Sequence, residues 1–335
     1  MLILDSGALL LALLIILAGA ELFTNALEHV GQRYALSEGL VGSVFAAVAT
    51  ALPETIVPFV AVFFGGSTAT VREHIGIGAI LGAPLMLASI AMALVALFAG
   101  VKRGWHKPLQ PERSGLLRDL LYFLVAFVIA FLALFIPHDQ LGPRVLASAV
   151  LVFMYITYVS NTIRASKLLV EQGHDTRAEG PLFLTRLHLP PGLWPEITQL
   201  ALGLALIIAG SKLFVYGVEQ VADLTSISVL ILSLLVIPVA TEMPEKFNSI
   251  LWIRRNKDTL AFGNITGALV FQGTLLPAFG IQLANWQPRP DMLWVMGLTF
   301  AAILWVLFLS LSRRFTPAWL IPAGLAYVLM FTLLV

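Results

Sequence analysis

The sequence predicts an all-α integral membrane protein with ten transmembrane helices arranged as two inverted repeats of five helices. Three observations support this fold class: the composition, ten apolar windows of membrane-spanning length, and a polar motif that occurs twice. Of the 335 residues, 59% are hydrophobic and only 12% are charged, about half the charged share of an ordinary soluble domain. This composition excludes a soluble globular enzyme.

The charge balance and the missing motifs exclude several functions. The chain has 20 Lys and Arg, 19 Asp and Glu and no cysteine, so it offers no dense basic surface for nucleic acid and no disulfide or thiolate metal site. The sequence contains no His-Glu-x-x-His, Gly-x-Ser-x-Gly or Walker A motif. We therefore predict that the protein is not an enzyme, has no bound cofactor and does not use ATP itself.

Ten windows are long and apolar enough to cross the hydrocarbon core, which requires about 20 residues. Because lipid offers no hydrogen-bond partners to a bare backbone, these windows predict helices. The first window carries Asp5 but no Lys or Arg at its start, so we interpret it as a retained helix and not as a signal peptide. The predicted spans 1 to 10 are approximately 3–28, 38–65, 75–99, 118–137, 145–163, 197–221, 227–252, 260–283, 292–311 and 318–335.

The distribution of positive charge predicts the orientation. The loops after the odd-numbered spans hold 15 of the 20 Lys and Arg, whereas the opposite loops and both termini hold three. The positive-inside rule therefore places both termini outside and these loops in the cytoplasm. We expect a multi-pass protein of the plasma (inner) membrane, in contact with the lipid bilayer.

An internal repeat divides the chain into two halves. Over residues 19–54 and 210–245, 11 of 36 aligned positions are identical without a gap. The match includes Ala-Thr-x-x-Pro-Glu at 49–54 and again at 240–245. We therefore predict a first five-helix repeat at 1–164, a cytoplasmic connecting loop at 165–191 and a second repeat at 192–335. Because each half has five spans, the second repeat enters the membrane from the opposite side.

The repeated hexapeptide supplies oxygen atoms at mid-membrane. Proline has no N–H and displaces the carbonyl four residues earlier, so each copy frees a backbone oxygen. A hydroxyl and a carboxylate follow one helical turn apart. Two such half-sites would form an oxygen-rich cage suited to a hard cation; alternatively, the prolines only kink the helices and the glutamates are protonated. The predicted ligands in the two copies are Ala49, Thr50 and Glu54, and Ala240, Thr241 and Glu245.

These hexapeptides, together with Gly-Ala-Glu-Leu-Phe at 19–23, Gly-Ser-Lys-Leu-Phe at 210–214 and the glycine-spaced spans 3 and 8, resemble the α-repeats of the sodium/calcium exchanger family. The resemblance implies cation sites built by spans 2, 3, 7 and 8, and alternating access by sliding of spans 1 and 6. It also places Thr50, Glu54, Thr241 and Glu245 at ligand positions of that family.

Other positions differ from the family pattern. Its serine within the hexapeptide is replaced by Ala51 in the first copy and by Glu242 in the second. The Gly-Ser-Asn run of span 8 becomes Gly-Ala-Leu at 267–269, and the liganding acid or amide that follows falls on Gln272. We expect Glu242, on the same helical face as Glu245, to supply the missing acid.

Lys246 adds a positive charge to the same span. It follows Glu242 by four residues, the favourable order for a Glu–Lys pair on a helix. If this pair forms, the ammonium occupies the place of one bound cation and modulates the site. Alternatively, Lys246 snorkels or faces a water-filled crevice, with Glu242 solvating it.

The resemblance implies a secondary antiporter that exports a divalent cation, Ca²⁺ first, in exchange for H⁺ or Na⁺. The altered ligands leave open a uniporter or channel-like pathway and an exchanger homologue that no longer transports. In each of these cases the partners are metal cations and lipid, with no nucleic acid.

Overall fold

The fold is known from a computed structural model. It describes residues 2–33, 55–56, 59–60, 63, 68–170, 180–187, 192–225, 228–254, 256, 258–312 and 314–334. All regular structure within these ranges is helical, which confirms the predicted all-α class. Most of predicted span 2 lies outside the described residues, so the count of ten spans stays a prediction.

Each of the other nine predicted spans coincides with a helical segment. Six helices are long and apolar enough to cross a membrane, and three shorter apolar stretches lie in α1, in α7 and at the end of the chain. In chain order the helices are α1 (Leu2–Arg33), α2 (Ala69–Met86), α3 (Met92–Arg103), α4 (Arg113–Ala133), α5 (Leu141–Val170), α6 (Leu193–Thr225), α7 (Val229–Arg254), α8 (Asp258–Leu283), α9 (Pro290–Leu311), α10 (Pro317–Leu320) and α11 (Leu325–Leu334).

Predicted span 3 is one long helical segment with an irregular turn inside it. Thr68 caps α2, because its side-chain oxygen accepts a hydrogen bond from the amide of Val71 at 3.2 Å. A π-helical turn at Leu87–Ala91 follows Pro84 and joins α2 to α3; proline lacks an amide donor, and such turns accommodate the altered hydrogen bonding. Gly104, at φ +104°, ends α3.

Two boundaries differ from the prediction. The last predicted span is broken into α10, a 3-10 turn at Ile321–Gly324 and α11, and Pro322 within that turn explains why a continuous helix does not form. In contrast, α5 continues to Val170 and so includes the first six residues of the predicted connecting loop. Hydropathy alone does not predict this extension, because Arg164, Ser166 and Lys167 interrupt the apolar run.

Close helix packing is concentrated in two pairs. α1 packs along α6, where a Cβ on Gly19 would lie 2.8 Å from the carbonyl oxygen of Gly203, and a Cβ on Gly203 would lie equally close to that of Gly19. α2 packs along α7 in the same way, with Gly78 against Ser233. Small residues allow backbones to approach closely in membranes, where hydrophobic burial does not drive helix association.

The helices differ in how much of them faces the bundle interior. α8 and the α2–α3 segment are mostly buried, whereas α5 is mostly exposed. An exposed apolar helix is expected where lipid is the solvent. α8 is also the polar helix of the core: in its buried part it carries Thr266, Gln272 and Thr274. It therefore places polar groups inside the bundle.

The end of the connecting loop docks onto α1 and α6. The side chain of Asn25 donates to the carbonyl of Pro181 at 3.4 Å and accepts from the amide of Phe183 at 3.1 Å. Gln199 donates to Asn25 at 2.8 Å and accepts from the amide of Leu184 at 3.0 Å. These buried amides join the predicted cytoplasmic ends of α1 and α6 through the loop.

Candidate cation site

The predicted ligands are unequally covered by the structure. Ala49, Thr50 and Glu54 lie outside the described residues. Ala240, Thr241 and Glu245 lie in α7, but their side chains are not among those described. The residues that can be examined are Glu242 and Gln272, which we predicted as ligands, and Lys246, which we predicted as a modulator.

Glu242 and Gln272 contact each other across α7 and α8. The Gln272 Nε2 group donates a hydrogen bond to Glu242 Oε1. Both residues are only 1% exposed, so the contact is sealed from solvent. The two helices therefore bring together two of the predicted ligands.

Each side chain of this pair keeps one oxygen available. Glu242 Oε2 and Gln272 Oε1 are buried and have no hydrogen-bond partner among the residues that the structure describes. A buried polar oxygen without a partner costs about 1 to 3 kcal/mol, so such an atom needs an explanation. Carboxylate and amide oxygens are ligands that hard cations such as Ca²⁺ prefer.

Lys246 lies one helical turn after Glu242 and is 2% exposed. Its positive charge interacts electrostatically with the Glu242 carboxylate, but both side chains are described and no nitrogen–oxygen distance between them is within 4 Å. The direct partner of Glu242 is thus the neutral amide of Gln272. The ammonium stays separate from the carboxylate while sharing its buried environment.

Tyr327 is a neighbour that the sequence did not reveal. Its hydroxyl donates to the carbonyl oxygen of Leu235 in α7 at 2.6 Å, and it is close enough to Glu242 to interact electrostatically. A backbone carbonyl oxygen has two lone pairs, so it can accept this bond in addition to a helical one. Tyrosine in a predicted span is too common at membrane interfaces to have identified this contact.

A second buried carboxylate connects α8 to α4. Thr266 donates to Asp119 Oδ2 at 2.8 Å, and the Arg118 guanidinium donates to Asp119 Oδ1 through Nε at 3.2 Å and Nη2 at 3.1 Å. Asp119 is 4% exposed, and the Arg118 guanidinium lies 5.6 Å from the ring centroid of Tyr158. In the sequence, the only indication of this cluster is that an aspartate lies at the edge of predicted span 4.

A metal site built from several His, Asp or Glu side chains finds no support in the described part of the chain. Among residues whose placement is described, no group of three or more His, Asp and Glu side chains is close enough to hold an ion. A cation at Glu242 would therefore need further oxygens from hydroxyls, amides, backbone carbonyls or the undescribed ligands.

Comparisons with known proteins cover almost the whole chain. The family described as sodium/calcium exchanger protein matches residues 5–164 and 196–335. The putative antiporter CaxA of Alkalimonas amylolytica is 25% identical over 315 residues, which are 91% of this chain and 90% of the relative. The inner membrane protein YrbG of Escherichia coli strain K12 is 24% identical over 271 residues, which are 80% and 77% of the two chains.

Two solved structures share the fold. The crystal structure of the H⁺/Ca²⁺ exchanger CAX aligns with a TM-score of 0.75 at 18% identity and covers 98% of this chain and 82% of that one. A structure of the sodium-calcium exchanger NCX_Mj, soaked with Na⁺ and Sr²⁺, aligns with a TM-score of 0.61 at 19% identity and covers 99% of both chains. At these identities the likeness establishes the fold alone.

Proposed function

Since this chain belongs to the sodium/calcium exchanger protein family, we propose that it is a secondary antiporter that moves a divalent cation, Ca²⁺ first, in exchange for H⁺ or Na⁺. The observation that carries the proposal is the buried Glu242–Gln272 contact, with one free oxygen on each side chain among the described residues. These two oxygens point to a hard cation as the substrate.

The complete site needs more ligands than this pair. Ca²⁺ takes about six to eight oxygens, so we assign the remaining positions to the repeated hexapeptides. Glu54 and Glu245 supply carboxylates, Thr50 and Thr241 supply hydroxyls, and Ala49 and Ala240 supply backbone carbonyls. Inverted repeats bring such half-sites together near the bilayer midplane. No step requires a covalent change in the substrate, so the proposed activity is not catalytic.

We favour H⁺ as the coupling ion. The replacement of the hexapeptide serines by Ala51 and Glu242 removes small neutral oxygens and adds a carboxylate. Carboxylates clustered in a site of low dielectric repel one another, so protonation competes with metal binding. A proton that enters would release the divalent ion, and the same groups would then serve both substrates.

Transport of ions into proteoliposomes tests this proposal. Full-length protein is reconstituted, and uptake of Ca²⁺, Mg²⁺, Mn²⁺ and K⁺ is followed with an imposed pH gradient in the absence of Na⁺, then with an imposed Na⁺ gradient at constant pH. Divalent flux driven by the pH gradient supports H⁺ antiport. Flux that requires Na⁺ and ignores pH would replace H⁺ by Na⁺, and divalent flux that needs neither gradient would indicate a uniporter.

Two substitutions test the assigned ligands. Glu54→Gln and Glu245→Gln should each abolish divalent flux, because an amide keeps the shape but removes the charge that offsets dehydration of the ion. Glu21→Gln is the matched control, since Glu21 lies in α1 with an exposed side chain. Retained flux in both Glu54→Gln and Glu245→Gln would show that these acids have a structural role.

We also propose that both termini face outward and that the connecting loop faces the cytoplasm of a plasma membrane. The asymmetry of Lys and Arg supports this orientation. Because the chain lacks cysteine, a single cysteine introduced at Asp175 gives an unambiguous signal. It should be labelled by a membrane-impermeant maleimide only after the cells are opened, and labelling in intact cells would reverse the orientation.

A further inference from the structure

Lys246 is buried too deeply to be a surface lysine. It precedes Arg254, the last residue of α7, by eight residues, which corresponds to about 12 Å along the helix axis. A snorkelling lysine keeps its charged head in water, but Lys246 as a whole is 2% exposed. The side chain therefore ends inside the bundle.

Two polar contacts between α7 and α8 enclose this position. On one side Gln272 donates to Glu242, and on the other Asn264 donates to the Ser249 hydroxyl at 2.9 Å. The two helices are antiparallel across these contacts, so the stretch of α8 level with Lys246 is midway between residues 264 and 272. Gly267 and Ala268 stand there, and neither has a side chain larger than a methyl group.

The charge at Lys246 lacks a direct counter-ion among the described residues. No hydrogen bond or ion pair to it is found there, and its interaction with Glu242 is through space. Glu242 Oε2 is likewise without a hydrogen-bond partner among the described residues. A buried charge is costly unless it is paired. Lys246 and Glu242 are near enough to interact but do not touch, and this arrangement suits a site in which another ion supplies the missing contact.

We propose that the Lys246 ammonium is a tethered cation that permanently holds one positive-charge position of the transport site. This inference rests on the proposed antiport function and specifies its stoichiometry. The chain then carries one monovalent coupling cation fewer per divalent ion than it would with a neutral residue at this position. Lys246 is a specificity-determining residue in this scheme, and Glu242 compensates its charge.

The coupling ratio tests the proposal directly. Proteoliposomes with wild-type protein or Lys246→Gln are held at a series of imposed gradients of the coupling cation, and the Ca²⁺ gradient at which net flux vanishes is measured. Lys246→Gln should couple one additional monovalent cation. For a tenfold gradient of that cation, the balancing Ca²⁺ gradient should rise about tenfold.

Two controls separate this effect from loss of charge in general. Lys246→Arg keeps the charge and should keep the wild-type ratio. Lys212→Gln removes the other lysine that lies within a predicted span, on α6 with an exposed side chain, and should also keep the ratio. An unchanged ratio in an active Lys246→Gln protein would overturn the proposal.

A binding measurement covers variants that do not transport. The melting temperature of purified Lys246→Gln and Lys246→Met is recorded against Na⁺ and Ca²⁺ concentration and against pH, since a ligand that binds the folded state stabilises it. Both variants should gain a steeper dependence on the coupling cation, H⁺ or Na⁺, than wild type, and the absence of both gains would refute the tethered cation. If neither neutral variant folds while Lys246→Arg does, the charge is needed for folding, and the proposal fails.

The melting measurement also tells failure of the tethered-cation proposal apart from failure of the proposed antiport function. Wild-type protein without gradient-driven divalent flux would refute antiport. The dependence of the melting temperature on pH and on Na⁺ would still report whether neutralising Lys246 creates a site for a monovalent cation. The two failures therefore give different results.

Discussion

Two buried carboxylates connect the polar helix α8 to its neighbours, and their surroundings are opposite. Asp119 is saturated: one oxygen accepts two guanidinium hydrogen bonds from Arg118 and the other accepts the Thr266 hydroxyl. Glu242 accepts one hydrogen bond from a neutral amide, and its second oxygen has no partner among the described residues. Both are almost fully buried, so depth alone does not separate them.

The two carboxylates differ in how far the described residues around them balance their charge. The negative charge of Asp119 is already balanced by Arg118, at 3.1 Å, so a further cation would have to displace an existing partner. Among the described residues, Glu242 has a neutral hydrogen-bond donor and a lysine held at a distance, so these residues balance its charge only in part. We therefore interpret Asp119 as a joint between helices and Glu242 as part of the ion pathway.

The largest expected effect comes from Glu242→Gln. The amide can still accept from Gln272, so the helix contact is kept, but the ligand charge is lost. Loss of a buried charge interaction costs about 3 kcal/mol, which corresponds to about 100-fold in divalent flux. Initial rates in proteoliposomes measure this loss, and wild-type rates in Glu242→Gln would remove the distinction between the two carboxylates.

Asp119→Asn should give the opposite pattern. It removes the ion pair with Arg118 and weakens the bond to Thr266, so we expect destabilisation of about 1 to 3 kcal/mol. The melting temperature in detergent should fall, while flux per folded molecule stays within about twofold of wild type. A stable Asp119→Asn protein with no flux would place Asp119 in the ion pathway instead.

Gln272→Ala should have an intermediate effect on binding. It removes the donor that orients Glu242 and an amide oxygen that has no hydrogen-bond partner among the described residues. The apparent affinity for the divalent ion should fall about tenfold, or about 1.4 kcal/mol. The matched control is Thr266→Val on the same helix, which should lower the melting temperature and leave the apparent affinity unchanged. Equal affinities for Gln272→Ala and wild type would exclude the amide as a ligand.

The smallest effect is expected at Glu112, an exposed carboxylate that caps α4. Burial by itself would raise the pKa of Glu112, but hydrogen bonds from the Ser114 hydroxyl and from the amides of Gly115 and Ser114 outweigh it, and the pKa is lowered. A lowered pKa means that the stabilisation is present above the ordinary value near 4.5 and is lost as the pH falls through the folded-state value.

Glu112→Gln should therefore cost about 0.5 kcal/mol at neutral pH. The melting temperatures of wild type and variant should converge as the pH falls below 4.5, with flux unaffected at neutral pH. A constant difference in melting temperature at all pH values would show that the cap acts through shape and not through charge. Glu112→Gln thus shows how large the effect of removing a carboxylate charge is when the carboxylate is exposed to water, for comparison with the two buried ones.

The membrane-spanning helices were predictable because the hydropathy of each segment can be calculated without knowing its partners. The apolar stretches of α4, α5, α8 and α9 coincide with predicted spans, since lipid imposes the same requirement on every crossing helix. The broken last span escaped prediction because its composition is apolar throughout, and only Pro322 indicated a break. The π-helical turn after Pro84 escaped for the same reason.

The candidate site was predictable in its residues but not in its contacts. The repeat singled out the hexapeptides, and the departures from the family pattern singled out Glu242, Gln272 and Lys246. That Gln272 is the direct partner of Glu242 depends on the rotation of α8 against α7, which no sequence spacing specifies. Asp119 and Tyr327 were missed because their partners are distant in sequence, 147 residues away for Thr266 and 92 for Leu235.

The docking of the connecting loop has a consequence for how the protein is made. Asn25 in α1 and Gln199 in α6 hydrogen-bond across 174 residues. At about 5 to 20 residues per second, the ribosome needs roughly 10 to 30 seconds to synthesise that interval. For this period the newly inserted α1 has neither its amide partner nor the glycine surface of α6. Biogenesis therefore includes a stage in which the first helix waits in the bilayer, and factors that shield polar groups of unassembled helices would act at that stage.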